Sequence, residues 1–278
     1  MSFSGKNSGQ MSSGPRITPA QILAVASGKG GVGKTWLSTT LAASFAKAGK
    51  RTLLIDGDLG CANVDVQLGI APDTDLAAVM AGWVELDDAV TPVNGGASAQ
   101  GGFDVLPGRS GSGALAELPK EDASRLAAGL TTLAMQYDMV LVDLAAGIDA
   151  NVMRLARAAD RALVVANDEP TSMTDAYAFI KVLRGYAPSV APWIAVNMAD
   201  TRVAGRRTYE ALARASQTFL GFRPPLAGIV LRDSKVREAI RTQKTLPSIY
   251  PEAQAAVDAE QIAEAILRGG VDSIAEAS

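Results

Sequence analysis

ILAVASGKGGVGKT, Ile22 to Thr35, passes from an unbroken apolar run into a loop with four glycines, two lysines and a threonine between Ser27 and Thr35. An apolar run without polar alternation predicts a strand buried on both faces, as in a parallel sheet covered by helices. The next stretch, TWLSTTLAASFAKAG (35–49), reads as a helix ended by Gly49. The glycine-rich loop therefore joins the end of a strand to the start of a helix.

The alternation continues outward. RTLLID (51–56), FDVLPG (103–108), DMVLVDLA (138–145), RALVVAN (161–167), APWIAVNMA (191–199) and residues 226–231 read as strands. Helices are expected over 75–83, 120–136, 150–159, 174–186, 204–220, 234–242 and 252–268. The pattern predicts an α/β fold, a mostly parallel twisted sheet with helices on both faces, and the glycine- and lysine-bearing loop at its first strand–helix junction makes it one of the P-loop NTPase type. No repeat or linker divides it. The expected organisation is a disordered Ser/Gly-rich leader at 1–19, one domain over 20–268 and a flexible tail at 269–278. Ligands of such sheets lie beyond the carboxyl ends of the strands, so polar residues just after each strand are the candidates for function.

Composition narrows the chemistry. The chain of 278 residues has one cysteine, Cys61, and no histidine. That excludes an intramolecular disulfide, a Cys/His zinc site and any histidine-based general base. Catalysis falls to Lys, Asp, Glu, Ser, Thr, backbone amides or a metal held by oxygen. The N-terminal residues MSFSGKNSGQMSSGPR lack an apolar signal core. No apolar run is long enough to span a bilayer. A cytoplasmic location is expected.

Gly28-x4-Gly33-Lys34-Thr35 fits the Walker A pattern in its strand–loop–helix context. The glycines allow backbone amides to turn inward around phosphates, and the helix N-terminus adds its positive dipole end. Lys34 is placed to neutralise β/γ-phosphate charge and the Thr35 hydroxyl to reach Mg²⁺. Nucleotide contacts are expected from Gly30, Gly31, Val32, Gly33, Lys34, Thr35 and Trp36. Lys29 is surplus to such a loop. Asp56 closes the second strand and Asp58 follows two residues later, where carboxylates can orient metal-bound and attacking water or simply cap the next helix.

KGGVGKT resembles the deviant Walker A motif of the MinD/ParA family of ATPases. The resemblance implies ATP/ADP and Mg²⁺ as ligands and an ATP-dependent homodimer. Lys29 would reach the partner's phosphates in trans, joining Lys34 and Asp58 as catalytic groups. IDGDLGCANVDVQLG looks like the family's first switch; Asp58 matches the residue that positions the lytic water, and Asp56 one near the metal. Asp143, before LAAGID, resembles the second switch and would join Thr35 and Asp56 around Mg²⁺, with Gly147 permitting movement. Leu144 stands where a small polar residue is usual. Asn197, Arg232 and Asp233 match base-proximal positions, although Leu231 replaces a frequent proline.

DLGCANVDVQLG, EPTSMTDAYAFIKVL (169–183) and VREAIRTQKTLPSIYPEA (236–253) are most similar to the FlhG/FleN branch, the MinD-like regulators of flagellar number. That similarity implies slow, partner-stimulated ATP hydrolysis in a switch that controls the number and placement of flagella at the cell pole. The implied partners are an FlhF-like GTPase, a flagellar switch-complex protein or a flagellar transcription activator. The leader lacks the DQAxxLR-type motif that many members of the branch carry. Two rivals come from the same family: a ParA-like positioning ATPase on nonspecific DNA, and a MinD-like division-site regulator on membrane. Residues 201–250 hold ten Lys/Arg against three acids, whereas the rest of the chain is net negative. That excess fits a DNA track or a set of partly paired, solvated helix faces. The segment 260–278 has one basic residue, Arg268, against four acids, so membrane contact is expected to be weak, transient or absent.

Overall fold

The computed structural model describes residues 20–58, 60–108 and 129–269. Among them, eight strands form one sheet in the order β3-β4-β2-β5-β1-β6-β7-β8. The strands are β1 Gln21–Ala26, β2 Thr52–Gly57, β3 Thr91–Val93, β4 Phe103–Leu106, β5 Met139–Leu144, β6 Arg161–Ala166, β7 Ala191–Ala199 and β8 Leu226–Leu231. All neighbours run parallel except β3, which pairs antiparallel with β4.

The unbroken apolar character of β1 has a direct cause. Ala24 and Ala26 face one core, with Val142, Val164, Phe179 and Leu212. Leu23 and Val25 face the other, with Leu37, Phe45, Leu141 and Ile262. Helices α1 Lys34–Lys47 and α9 Gln254–Arg268 cover the second face. Helices α5 Pro170–Tyr186 and α6 Arg202–Leu220 cover the first. Other helices among the described residues include α2 Val64–Leu68, α3 Leu76–Met80, α4 Ala150–Ala156, α7 Ser234–Arg241 and α8 Leu246–Ile249. At the sheet margin the Asp258 carboxylate of α9 accepts the Leu231 N–H at 2.8 Å and pairs with Arg202, whose guanidinium also donates to the Ile229 carbonyl. Side chains thereby satisfy two backbone groups of the edge strand β8.

The expected parallel sheet is present, and three short elements add to it. β3 contains Pro92, and a three-residue edge strand has little periodicity to read. Helices α2 and α8 are also too short for a 3.6-residue pattern to emerge. Helix α5 starts at Pro170, four residues before the expected boundary, because proline suits the first helical turn. Of the helix expected at 120–136, residues 129–134 are helical and 120–128 lie outside the described residues, as do the leader 1–19 and residues 270–278 of the tail. The apolar stripe of α9, including Ala259, Ile262 and Ile266, packs into the domain. Among the described residues, no helix is long and apolar enough to cross a membrane.

Candidate functional site

The candidate residues converge at the carboxyl ends of β1, β2, β5, β7 and β8. The loop from Ser27 to Gly33 leads directly into α1, whose N-terminus therefore points at whatever the loop encloses. Gly33 has φ 81°, and a β-carbon there would lie 2.4 Å from Asn197 Nδ2. Asn197 has its own reason to be that close. Its Nδ2 donates to the Val32 carbonyl at 2.8 Å, while its Oδ1 accepts the Met198 N–H at 2.9 Å. The end of β7 thus braces the loop from beneath.

Buried Lys34 and Asp143 form a cluster with half-buried Thr35. Lys34 Nζ donates to Asp143 Oδ1 at 2.8 Å, and Thr35 Oγ1 donates to Asp143 Oδ2 at 2.7 Å. Ser38 Oγ donates to Asp143 Oδ1 at 2.8 Å. Sequence reasoning missed Ser38. Its position four residues after Lys34, on the same helix face, is the signal that could have found it. The placement of Lys34 is informative: its ammonium rests on Asp143, so accepting a phosphate would mean exchanging one anionic partner for another.

Asp56 is a second buried carboxylate, in register beside Asp143 on β2 and β5. Its Oδ2 accepts the Asn63 and Val64 N–H groups at 2.9 and 3.0 Å, and its Oδ1 accepts the Asp58 N–H at 3.1 Å. Burial pushes its carboxyl up to about 6, helped by the neighbouring charge of Asp143 and opposed by those amides. Asp56 fixes the start of α2 and so shapes the segment carrying Asp58. Asp58 Oδ1 accepts the Gly60 and Cys61 N–H groups at 3.3 and 2.9 Å, a local turn at the head of that segment.

Lys29 stands apart from the buried cluster. Its Nζ lies 2.5 Å from Glu169 Oε2 and 2.9 Å from Thr171 Oγ1, at the start of α5. The Lys29 ammonium, together with the Asn167 amide, holds the Glu169 carboxyl below its ordinary range. The pair is solvent-exposed, with side-chain accessibilities of 37% for Lys29 and 54% for Glu169. Its electrostatic gain is therefore small and readily exchanged. Glu169 and Thr171 are contacts of Lys29 that sequence reasoning did not assign, because only the fold brings residue 169 to residue 29.

A groove of about 490 Å³ opens beside the loop, lined by Gly33, Trp36, Asn197, Met198, Val230, Leu231, Arg232, Asp233, Ser234, Val236, Arg237 and Ile240. Its size and largely apolar wall suit a planar base. The three expected base-proximal residues, Asn197, Arg232 and Asp233, all line it. Arg232 also pairs with Asp200 at 2.9 Å, and Asp233 caps α7 by accepting the Lys235 N–H at 2.9 Å. Gly30 and Gly31 have open space where a β-carbon would stand, consistent with a loop that surrounds a ligand.

The donor set fits Mg²⁺. Thr35 Oγ1 and Asp143 Oδ2 are hard oxygen donors 2.7 Å apart, with Asp56 on the adjacent strand. Among the described residues there is no cluster of three or more His, Cys, Asp or Glu that could hold a metal by itself. Mg²⁺ characteristically takes one or two protein oxygens and completes its shell with substrate phosphates and water, so a partial set is the appropriate one.

Comparison with known proteins matches residues 23–246 to the CobQ/CobB/MinD/ParA nucleotide binding domain. The chain is 36% identical over 248 residues to the antiactivator FleN of Pseudomonas aeruginosa, covering 89% of this chain and 86% of that protein. It is 28% identical to the flagellum site-determining protein YlxH of Helicobacter pylori, covering 87% of this chain and 80% of that protein. In structure it is similar to the cell division ATPase MinD of Pyrococcus furiosus, with a TM-score of 0.75 and 25% identity, covering 90% of this chain and all of the other.

Proposed function

The chain belongs to the CobQ/CobB/MinD/ParA nucleotide-binding family, and from that premise we propose that it is a Mg²⁺- and ATP-dependent dimerising ATPase that regulates the number and placement of flagella at the cell pole. The similarity to an antiactivator and to a flagellum site-determining protein supports the biological role. The observation that carries the switch is the second lysine. Lys34 already serves the buried cluster of its own site, whereas Lys29 sits outside it, exposed and held by Glu169 and Thr171.

The residues divide the work. Backbone amides from Gly30 to Thr35 receive the phosphates, with the α1 N-terminus behind them. Lys34 transfers from Asp143 to the phosphate oxygens. Thr35, Asp143 and Asp56 would hold Mg²⁺, which when bound neutralises phosphate charge as it develops. Trp36, Asn197, Arg232 and Asp233 surround the base. Asp58 orients the attacking water. Lys29 leaves Glu169 and Thr171 to reach the phosphates of a second protomer, coupling nucleotide to dimerisation. The dimer would present a composite surface to an FlhF-like GTPase, a flagellar switch-complex protein or a flagellar transcription activator, and hydrolysis would dissolve it. The work fits a cytoplasmic protein with polar or transient membrane residence.

Lys29→Ala is expected to retain ATP affinity and lose ATP-dependent dimers, measured by sedimentation with ATP and Mg²⁺. Dimers that form at the wild-type concentration would remove the role in trans.

One observation favours a second reading, a ParA-like positioning ATPase. Arg202, Arg223, Arg232 and Lys235 have acidic partners. Arg206, Arg207, Arg214, Arg237, Arg241 and Lys244 are exposed and have no ion pair among the described residues. The flagellar reading expects no ATP-dependent binding of the Asp58→Ala protein to random duplex DNA across a salt series. Tight ATP-dependent binding that collapses with salt would instead assign these cations to phosphates.

A further inference from the structure

Beside the core packing of Val64 and Leu68, three sets of side-chain hydrogen bonds tie the segment after Asp58 to its surroundings, and the last of them is the most distant in sequence. The first is Asp56, whose carboxylate holds the N–H groups of Asn63 and Val64. The second joins α2 to α1: Gln67 Nε2 donates to Thr39 Oγ1 at 3.0 Å. The third comes from beyond α7: Gln243 Nε2 donates to the Val66 carbonyl of α2 at 2.8 Å.

Gln243 can make that bond because of how α7 ends. The Gln243 N–H bonds the Ile240 carbonyl and the Lys244 N–H bonds the Ala239 carbonyl, closing the helix with Gln243 in the left-handed conformation at φ 54°. Its side chain then turns onto the end of α2. The contact is close: a β-carbon on Gly69 would lie 2.8 Å from Gln243 Cβ. The helix that this turn closes matters equally. Val236, Arg237 and Ile240 of α7 form part of the wall of the base groove, with Trp36 and Asn197. One eight-residue helix therefore borders the base groove, and the turn that closes it touches the Asp58 segment.

We propose that Gln243 is a positioning residue that couples occupancy of the base groove to the Asp58 segment. A base held against α7 steadies that helix, and the Gln243–Val66 bond passes the constraint to α2 and through it to residues 60–69. This rests on the nucleotide reading of the groove, and its structural part needs no hydrolysis.

The test is amide exchange of residues 60–69 in the full chain, with and without Mg-ADP, for wild type, Gln243→Leu and Gln243→Lys. Leucine fills the space without a donor, while lysine restores a donor for the Val66 carbonyl. Both place a β-substituted side chain at the same left-handed position, so that shared effect cancels. A net hydrogen bond corresponds to a population change of about threefold to tenfold, so Mg-ADP should slow exchange of 60–69 by that factor in wild type and Gln243→Lys. In Gln243→Leu the slowing should vanish, with ADP affinity and melting temperature close to wild type. ATP turnover should follow the same order, falling in Gln243→Leu with little change in KM. Equal ADP-induced protection in wild type and Gln243→Leu would overturn the proposal, as would failure of lysine to restore it. If turnover proved independent of Asp58 while protection still required a donor at 243, the hydrolysis reading would fall and the coupling would stand.

Discussion

Asp143→Ala is expected to cost about 3–5 kcal/mol of stability, because it leaves the Lys34 ammonium buried without its partner. The carboxylate is inaccessible to solvent and binds three side chains at once: Lys34, Thr35 and Ser38. Its loss strands one charge and leaves two hydroxyls without that acceptor. In a chain of this size such a loss corresponds to a fall in melting temperature on the order of 10 °C. The double variant Lys34→Met/Asp143→Ala should recover most of it, since an absent pair costs far less than a broken one. Metal-free ATP separates this account from simple loss of packing. In wild type the phosphates must draw Lys34 away from Asp143, whereas in Asp143→Ala they supply the only anion available to it. ATP in EDTA should therefore raise the melting temperature of the variant more than that of wild type. A fall below about 2 °C for Asp143→Ala would mean that Lys34 is solvated rather than paired.

Which residues could be read from the sequence follows from how local their signals are. Lys34 and Thr35 are fixed by a contiguous motif between a strand and a helix. Asp143 stands out because it ends a run of apolar residues, MVLVD, that the sheet buries on both faces. Asp56 stands out for the same reason, but its burial does not. That depends on α2 folding over the strand end so that two backbone amides meet the carboxylate. Short elements such as β3 and α2 gain their stability from neighbours, so their own residues carry little periodic signal. Glu169 and Thr171 lie in a stretch whose family resemblance was visible, yet their contact with Lys29 spans about half the chain and is set by the adjacency of β1 and β6. Gln243 is further still from α2, and nothing in its own surroundings points there. Residues at strand ends within recognisable motifs, Asp143 and Asn197 among them, were legible even where their partners lie across the sheet; Glu169, Thr171 and Gln243 carry no such local mark and required the fold.

Asp58→Ala is expected to lower ATP turnover by about a hundredfold or more, the scale of a lost general base or water-positioning group, while leaving ATP binding and ATP-dependent dimers intact. The structure supplies a rival explanation for any such loss. Asp58 Oδ1 accepts the Gly60 and Cys61 N–H groups, so alanine removes a turn as well as a carboxylate. Asp58→Asn resolves the two. Asparagine keeps an oxygen for both amides and supports the same turn, but it is uncharged and cannot take a proton from water. If Asp58 acts on the water, Asn and Ala should be equally inactive in single-turnover hydrolysis, and exchange of residues 60–69 should be normal in Asn alone. If Asn turns over at the wild-type rate, the Asp58 carboxylate takes no proton from the water, and its roles reduce to shaping the loop and orienting the water by hydrogen bonding. The division follows from geometry. Oδ1 is committed to the backbone, whereas Oδ2 has no hydrogen bond among the described residues and is the oxygen available to a water. One carboxylate can thus hold its segment in place with one oxygen and act with the other, and only a substitution that separates charge from hydrogen bonding can distinguish these roles.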